Sequence, residues 1–123
     1  MKTLLVFLLS FLFVSQVNAQ DVPLLVVRRE STIQEKLKAT FWNEPKMMDV
    51  IKCESGFKQF TSSGKTLRSK TSDIGIMQIN QVHWKRAKSL GLDIFNSEND
   101  NIIMGKIILK EQGIKAWTCS RLV

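Results

Sequence analysis

Cys53-Glu54-Ser55-Gly56-Phe57, followed further on by Ser72-Asp73-Ile74-Gly75-Ile76-Met77-Gln78-Ile79-Asn80, is the pair of stretches that decides how this chain reads. Behind the first lies an expected helix that starts near Pro45. On it, Met47, Val50 and Ile51 precede Glu54 by helical spacings, so the Glu54 carboxyl shares a face with apolar residues. Gly56 reads as the helix stop, which places Glu54 in the last turn, beside unpaired carbonyls and the negative end of the helix dipole. Burial and that dipole both disfavour an ionised carboxylate, and an acid that keeps its proton is what general acid catalysis needs. A partly buried Glu satisfied by a backbone or hydroxyl partner has the same spacing.

The N-terminus has its own logic. Lys2 precedes an apolar run from Leu4 to Val14, and Val17-Asn18-Ala19 supplies an exit of the kind a signal peptidase reads. Residues 1–19 are therefore expected to be a secretory signal peptide, and residues 20–123 a single domain with one core. The run is short for a membrane span, so no stable anchor is expected after cleavage. The chain is expected to be exported, periplasmic or extracellular, and to act as a monomer.

The formal net charge is +7. An exported basic domain favours anionic polymers such as cell-wall glycans, teichoic acids or lipid head groups, although scattered lysines equally describe a solvated surface. No nucleic-acid partner is expected, because zinc-finger spacing, RNP-like aromatics and a basic heptad arm are all missing. His83 is the single histidine and no ligand cluster accompanies it, so neither metal nor other cofactor is expected. The two cysteines, Cys53 and Cys119, form an even pair in an exported chain and suggest a disulfide. Such a bridge would bring the C-terminal tail, with Trp117 and Ser120, beside Glu54. Two free buried thiols are the alternative.

Along the chain, Thr32 and Glu35 form a capping-box signal for a short helix to about Phe41. Asn43 is the expected cap of the second helix, with Glu44 and Pro45 in its first turn. The polar stretch from Lys58 to Asn80 has no helical period and suggests a hairpin or extended lobe. Asn80 caps an expected helix to Leu90, and Ser97 with Asp100 opens another that Gly113 ends. That last helix, through Ile102, Met104, Ile107, Ile108 and Leu109, is expected to be the most buried. Leu24 to Val27 fits either a strand or a packed arm. The fold class is α+β, mainly α, with a small β or extended lobe.

Taken together, the motifs resemble the lysozyme-like superfamily, specifically lytic transglycosylases of the soluble-lytic-transglycosylase type. The resemblance rests on Glu54-Ser55 with Phe57, on Gly75-Ile76-Met77-Gln78, and on Asn101-Ile102 with Gly105 and Leu109, in that order over residues 43–120. It implies a lysozyme-like fold and peptidoglycan strands as substrate. Glu54 would protonate the glycosidic oxygen between N-acetylmuramic acid and N-acetylglucosamine and then act as base. Ser55 would hydrogen-bond substrate or the catalytic carboxyl. Met77 and Gln78 would line the sugar cleft, and Asn80 and Asn101 would be wall or structural positions. Core packing is the competing role for Met77, and capping or scaffolding for Gln78 and Asn80.

Two departures keep the reaction open. Many such transglycosylases carry a Tyr near the C-terminus facing the catalytic Glu, whereas this chain has no tyrosine; Trp117 is the candidate for that wall. Asp73 aligns with the second carboxylate of the similar animal lysozyme segment, so hydrolysis by a muramidase is an alternative to formation of 1,6-anhydromuramic ends. An ion pair of Asp73 with Arg68 or Lys70 would instead give it a structural role. A non-catalytic glycan-binding protein and a membrane-active basic helix around Trp84-Lys85-Arg86 are the readings from other classes.

Overall fold

A computed structural model of the chain describes residues 29–123. The expected signal peptide and the Leu24–Val27 run lie outside the described residues. Four helices carry the fold: α1 (Ile33–Thr40), α2 (Lys46–Ser55), α3 (Trp84–Ser89) and α4 (Glu98–Gln112), with short 3-10 turns at Gln81–His83, Ile114–Ala116 and Thr118–Arg121. The architecture is mainly helical with a small extended lobe. None of the helices is long and apolar enough to cross a membrane among the described residues.

The first helix starts where its capping box places it. Glu35 N–H donates to Thr32 Oγ1 at 3.2 Å, and Thr32 N–H donates back to Glu35 Oε2 at 2.7 Å. The second helix corrects the reading of Asn43 as a cap. Residues 41–43 form a turn in which Glu44 N–H donates to Phe41 O, and Pro45 enters the helix without a side-chain cap. Its φ of −61° already suits a helical start. Gly56 then ends α2 in the left-handed region at φ 61°, as the sequence requires.

Asn80 is a cap, but of a 3-10 turn that leads into the short α3, not of one continuous helix to Leu90. The fourth helix is capped by Ser97, whose hydroxyl accepts from Asp100 N–H at 3.1 Å. Its buried face is Asn101, Ile102, Met104, Gly105 and Ile108; Ile107 and Leu109 are only partly covered. Against that face pack Met47, Val50 and Ile51 of α2 and the segment Ile74–Ile79, which together form one core.

The lobe has the extended character expected, built from isolated antiparallel bridges between Phe60 and Thr66, Arg68 and Ile74, and Ile74 and Ile79. Ile74 and Ile79 exchange both backbone hydrogen bonds, at 3.1 and 2.8 Å. Gly75-Ile76-Met77-Gln78 is therefore the loop of a minimal hairpin, and it is buried. A buried loop leaves backbone groups needing partners. Here side chains from three other elements supply them.

Candidate active site

The end of α2 brings Glu54 to the mouth of a cleft of about 270 Å³. Asp73, Gln78 and Asn80 line the same cleft from the lobe, and Trp117 and Thr118 line it from the C-terminal tail. The tail is held there covalently: Cys53 and Cys119 form a disulfide, with Cα atoms 6.0 Å apart and a separation of 66 positions in sequence. The backbone N–H of Cys119 donates to Glu54 Oε1 at 2.9 Å. One carboxyl oxygen is thus fixed by the residue whose sulfur is bonded to the neighbour of Glu54. The other, Oε2, has no hydrogen-bond partner among the described residues.

Asp73 is engaged from two sides. Asn80 Nδ2 donates to its Oδ1 at 2.6 Å, while Thr71 Oγ1 and Ser69 Oγ donate to its Oδ2 at 2.5 and 3.2 Å. The ion pair with Arg68 or Lys70 is not formed; Arg68 instead lies over the Trp84 ring, 5.2 Å from its centroid. Asn80 has two jobs. Its Oδ1 accepts from Val82 N–H at 3.2 Å, so one side chain ties the Asp73 carboxylate to the turn that carries His83 into the cleft.

Gln78 sits at φ 49°, an uncommon left-handed conformation for a residue with a side chain. Its Nε2 donates to Gly75 O at 2.8 Å, which closes the loop on itself, and the residue lines the cleft. Trp117 is almost wholly buried; its indole N–H donates to Met77 O at 2.7 Å while the ring forms part of the wall.

Three expected site residues are placed elsewhere. Ser55 does not line the cleft, because its hydroxyl is directed to Ile76 O at 2.7 Å and Ile51 O at 3.2 Å, where it clamps α2 to the loop. Met77 is 0% exposed and seated on Gly105, so it is core and not cleft wall. Asn101, also 0% exposed, accepts from Met77 N–H at 2.8 Å and donates to Ile74 O and Ile94 O. It is a scaffold residue.

The sequence reading missed several positions. Gln59 accepts from Ile76 N–H at 2.9 Å and donates to Ile94 O and Phe95 O, both at 3.1 Å. A lone Gln in a polar lobe gives no signal of this. His83, Gln112 and Thr118 also line the cleft. Thr118 was findable, since it adjoins Cys119 and the bridge places the tail beside Glu54.

A mainly helical body, a small extended lobe and a cleft lined by two acidic side chains are consistent with a lysozyme-like fold. Within that fold class, the chain belongs to the transglycosylase SLT domain family, which matches residues 31–116. No curated protein and no solved structure matches it. Membership brings lytic-transglycosylase-type activity toward peptidoglycan in general terms, and with it a place outside the cytoplasm. The disulfide fits an oxidising compartment.

Proposed function

We propose that this protein is a peptidoglycan lytic transglycosylase with Glu54 as its single general acid and base. In its protonated form Glu54 gives a proton to the oxygen linking N-acetylmuramic acid to N-acetylglucosamine, and the bond from that oxygen to the muramic C1 breaks. The resulting carboxylate then takes the proton of the muramic 6-hydroxyl, whose oxygen closes on C1 to give a 1,6-anhydro end. One proton is lent and returned, and no water is consumed. The observation that carries this reading is Glu54 in the cleft, one oxygen fixed by Cys119 N–H and the other open.

Gln78 and Asn80 would contact the sugar, and Trp117 would form the wall that a tyrosine supplies elsewhere in the family. Asp73 favours this chemistry over covalent catalysis, because donors from Asn80, Ser69 and Thr71 already occupy both its oxygens. Its position in the same cleft supports a second reading, hydrolysis by a muramidase with Asp73 as the second carboxylate. The N-terminal segment of residues 1–19 would direct export and be removed.

Mass spectrometry of muropeptides released from purified peptidoglycan separates the readings. Fragments one water lighter, with anhydromuramic ends, are expected, together with a loss of at least about 10²–10⁴-fold for Glu54→Gln. Reducing-end products would establish the muramidase instead. Binding with no release by either protein would leave a glycan-binding module.

A further inference from the structure

Although the chain is strongly basic, no Lys or Arg lines the cleft, whose titratable side chains are Glu54, Asp73 and His83. Peptidoglycan strands carry short stem peptides that alternate small apolar residues with free carboxylates. Such a stem finds no cation in the cleft itself.

A second depression, of about 600 Å³, has the opposite character. Its floor is Trp84, Leu92, Ile94 and Phe95, with Trp84 and Phe95 edge-to-face at 5.0 Å. Lys85 and Lys88 stand on its rim, exposed, and neither is in an ion pair among the described residues. The acid on the rim, Asp93, is turned to local use: its oxygens accept from the backbone of Phe95 and Asn96 and from the Asn96 amide. The two depressions are joined through consecutive residues and one hydrogen bond. His83 lines one and Trp84, the next residue, lines the other, while the Trp84 indole N–H donates to the carbonyl of Ile79, itself a cleft residue.

From this continuity and charge complementarity we infer that the Trp84–Phe95 depression is a subsite for the peptide stem of the strand held in the cleft, with Lys85 and Lys88 receiving its carboxylates. A stem of four or five residues spans up to roughly 15 Å when extended. The inference rests on peptidoglycan as the substrate. It adds that the enzyme selects stem-bearing strands over stripped ones.

The test uses soluble glycan fragments with stems and the same fragments stripped by an amidase. Affinity is measured by calorimetry on Glu54→Gln protein, so that no turnover is needed, and kcat/KM is measured on the active protein. Stem-bearing fragments are expected to bind more tightly, and Lys85→Glu/Lys88→Glu to lose about five- to tenfold on them, the scale of two exposed charge contacts. The same double variant should leave stripped fragments unchanged. Lys106→Glu/Lys110→Glu, an equal charge change beside a different depression, should change neither. Equal affinity for the two fragments, or equal losses for both double variants, overturns the subsite. Failure of the catalytic reading would show separately, as Glu54→Gln protein that still cleaves.

Discussion

Replacing both bridge cysteines, as in Cys53→Ser/Cys119→Ser, tests the link between chain connectivity and the placement of the acid. The bridge closes 66 residues, more than half of the 123-residue chain. Releasing a loop of that length returns about 4 kcal/mol of conformational freedom to the unfolded chain at 25 °C. For a domain this small, each kcal/mol moves the melting temperature by about 4–8 °C, so a fall of roughly 15–30 °C is expected. Urea unfolding followed by circular dichroism should also steepen, because an uncrosslinked chain exposes more surface. A fall below about 5 °C would refute the argument, since the loop constraint would then contribute little.

The same variant separates stability from positioning. Its residue 119 keeps a backbone N–H, so the hydrogen bond to Glu54 Oε1 remains chemically possible without the bridge. Turnover per folded molecule, measured well below the new melting temperature, is expected to drop because the tail no longer holds that oxygen. Unchanged turnover would mean that the bridge only stabilises.

Other changes are equally specific. Gly105→Ala puts a methyl 2.6 and 2.7 Å from Met77 Cε and Cγ, and should cost about 1–3 kcal/mol in urea denaturation, with partial recovery when Met77→Ala is added. Trp117→Phe keeps a ring but deprives Met77 O of its indole donor, an expected loss of about 1–3 kcal/mol by the same measurement. For pH, the Arg86 guanidinium hydrogen-bonded to Glu111 holds that carboxyl below the usual carboxylate range. A depressed acid stabilises above its unfolded pKa, about 4.3, and that contribution is lost as pH falls through the lower folded value. The melting-temperature gap between the natural protein and Glu111→Gln should thus be full near pH 6 and close at more acidic pH. A gap that persists there would contradict the pairing.

Legibility followed the range of each interaction. Local signals worked where a few residues decide the outcome: the Thr32–Glu35 box, the Gly56 stop and the Ser97 cap all stand. Asn43 failed because the turn through residue 43 uses the backbone of Phe41, and nothing in a capping residue announces that competition. The disulfide was legible from cysteine count and its consequence for Trp117 followed, since a covalent tie fixes neighbours regardless of folding detail. Long-range side-chain to backbone bonds were not legible. Gln59 reaches residues 35 and 36 positions away, and no local pattern encodes such a partner.

That limit explains why the motif alone could not choose between cleft and structural roles for Ser55, Met77 and Asn101. The loop Gly75–Gln78 is buried, so its backbone groups need donors and acceptors that a solvent-facing loop would take from water. Ser55 donates to Ile76 O, Gln59 accepts from Ile76 N, Asn101 accepts from Met77 N, and Trp117 donates to Met77 O. Gly75 is required at the same place: at φ 72° it suits a residue without a side chain, and a methyl there would strike Asn101 and come within 2.5 Å of Gln59 Oε1. Most of the motif is therefore the fastening of one buried loop to α2, α4 and the tail. What the fastening achieves is positional: Gln78 and, through Ile79 and Asn80, Asp73 are held at a fixed place relative to the end of α2, where Glu54 is. A motif read as a row of substrate contacts is, residue by residue, mainly the frame that keeps one carboxylic acid facing one cleft.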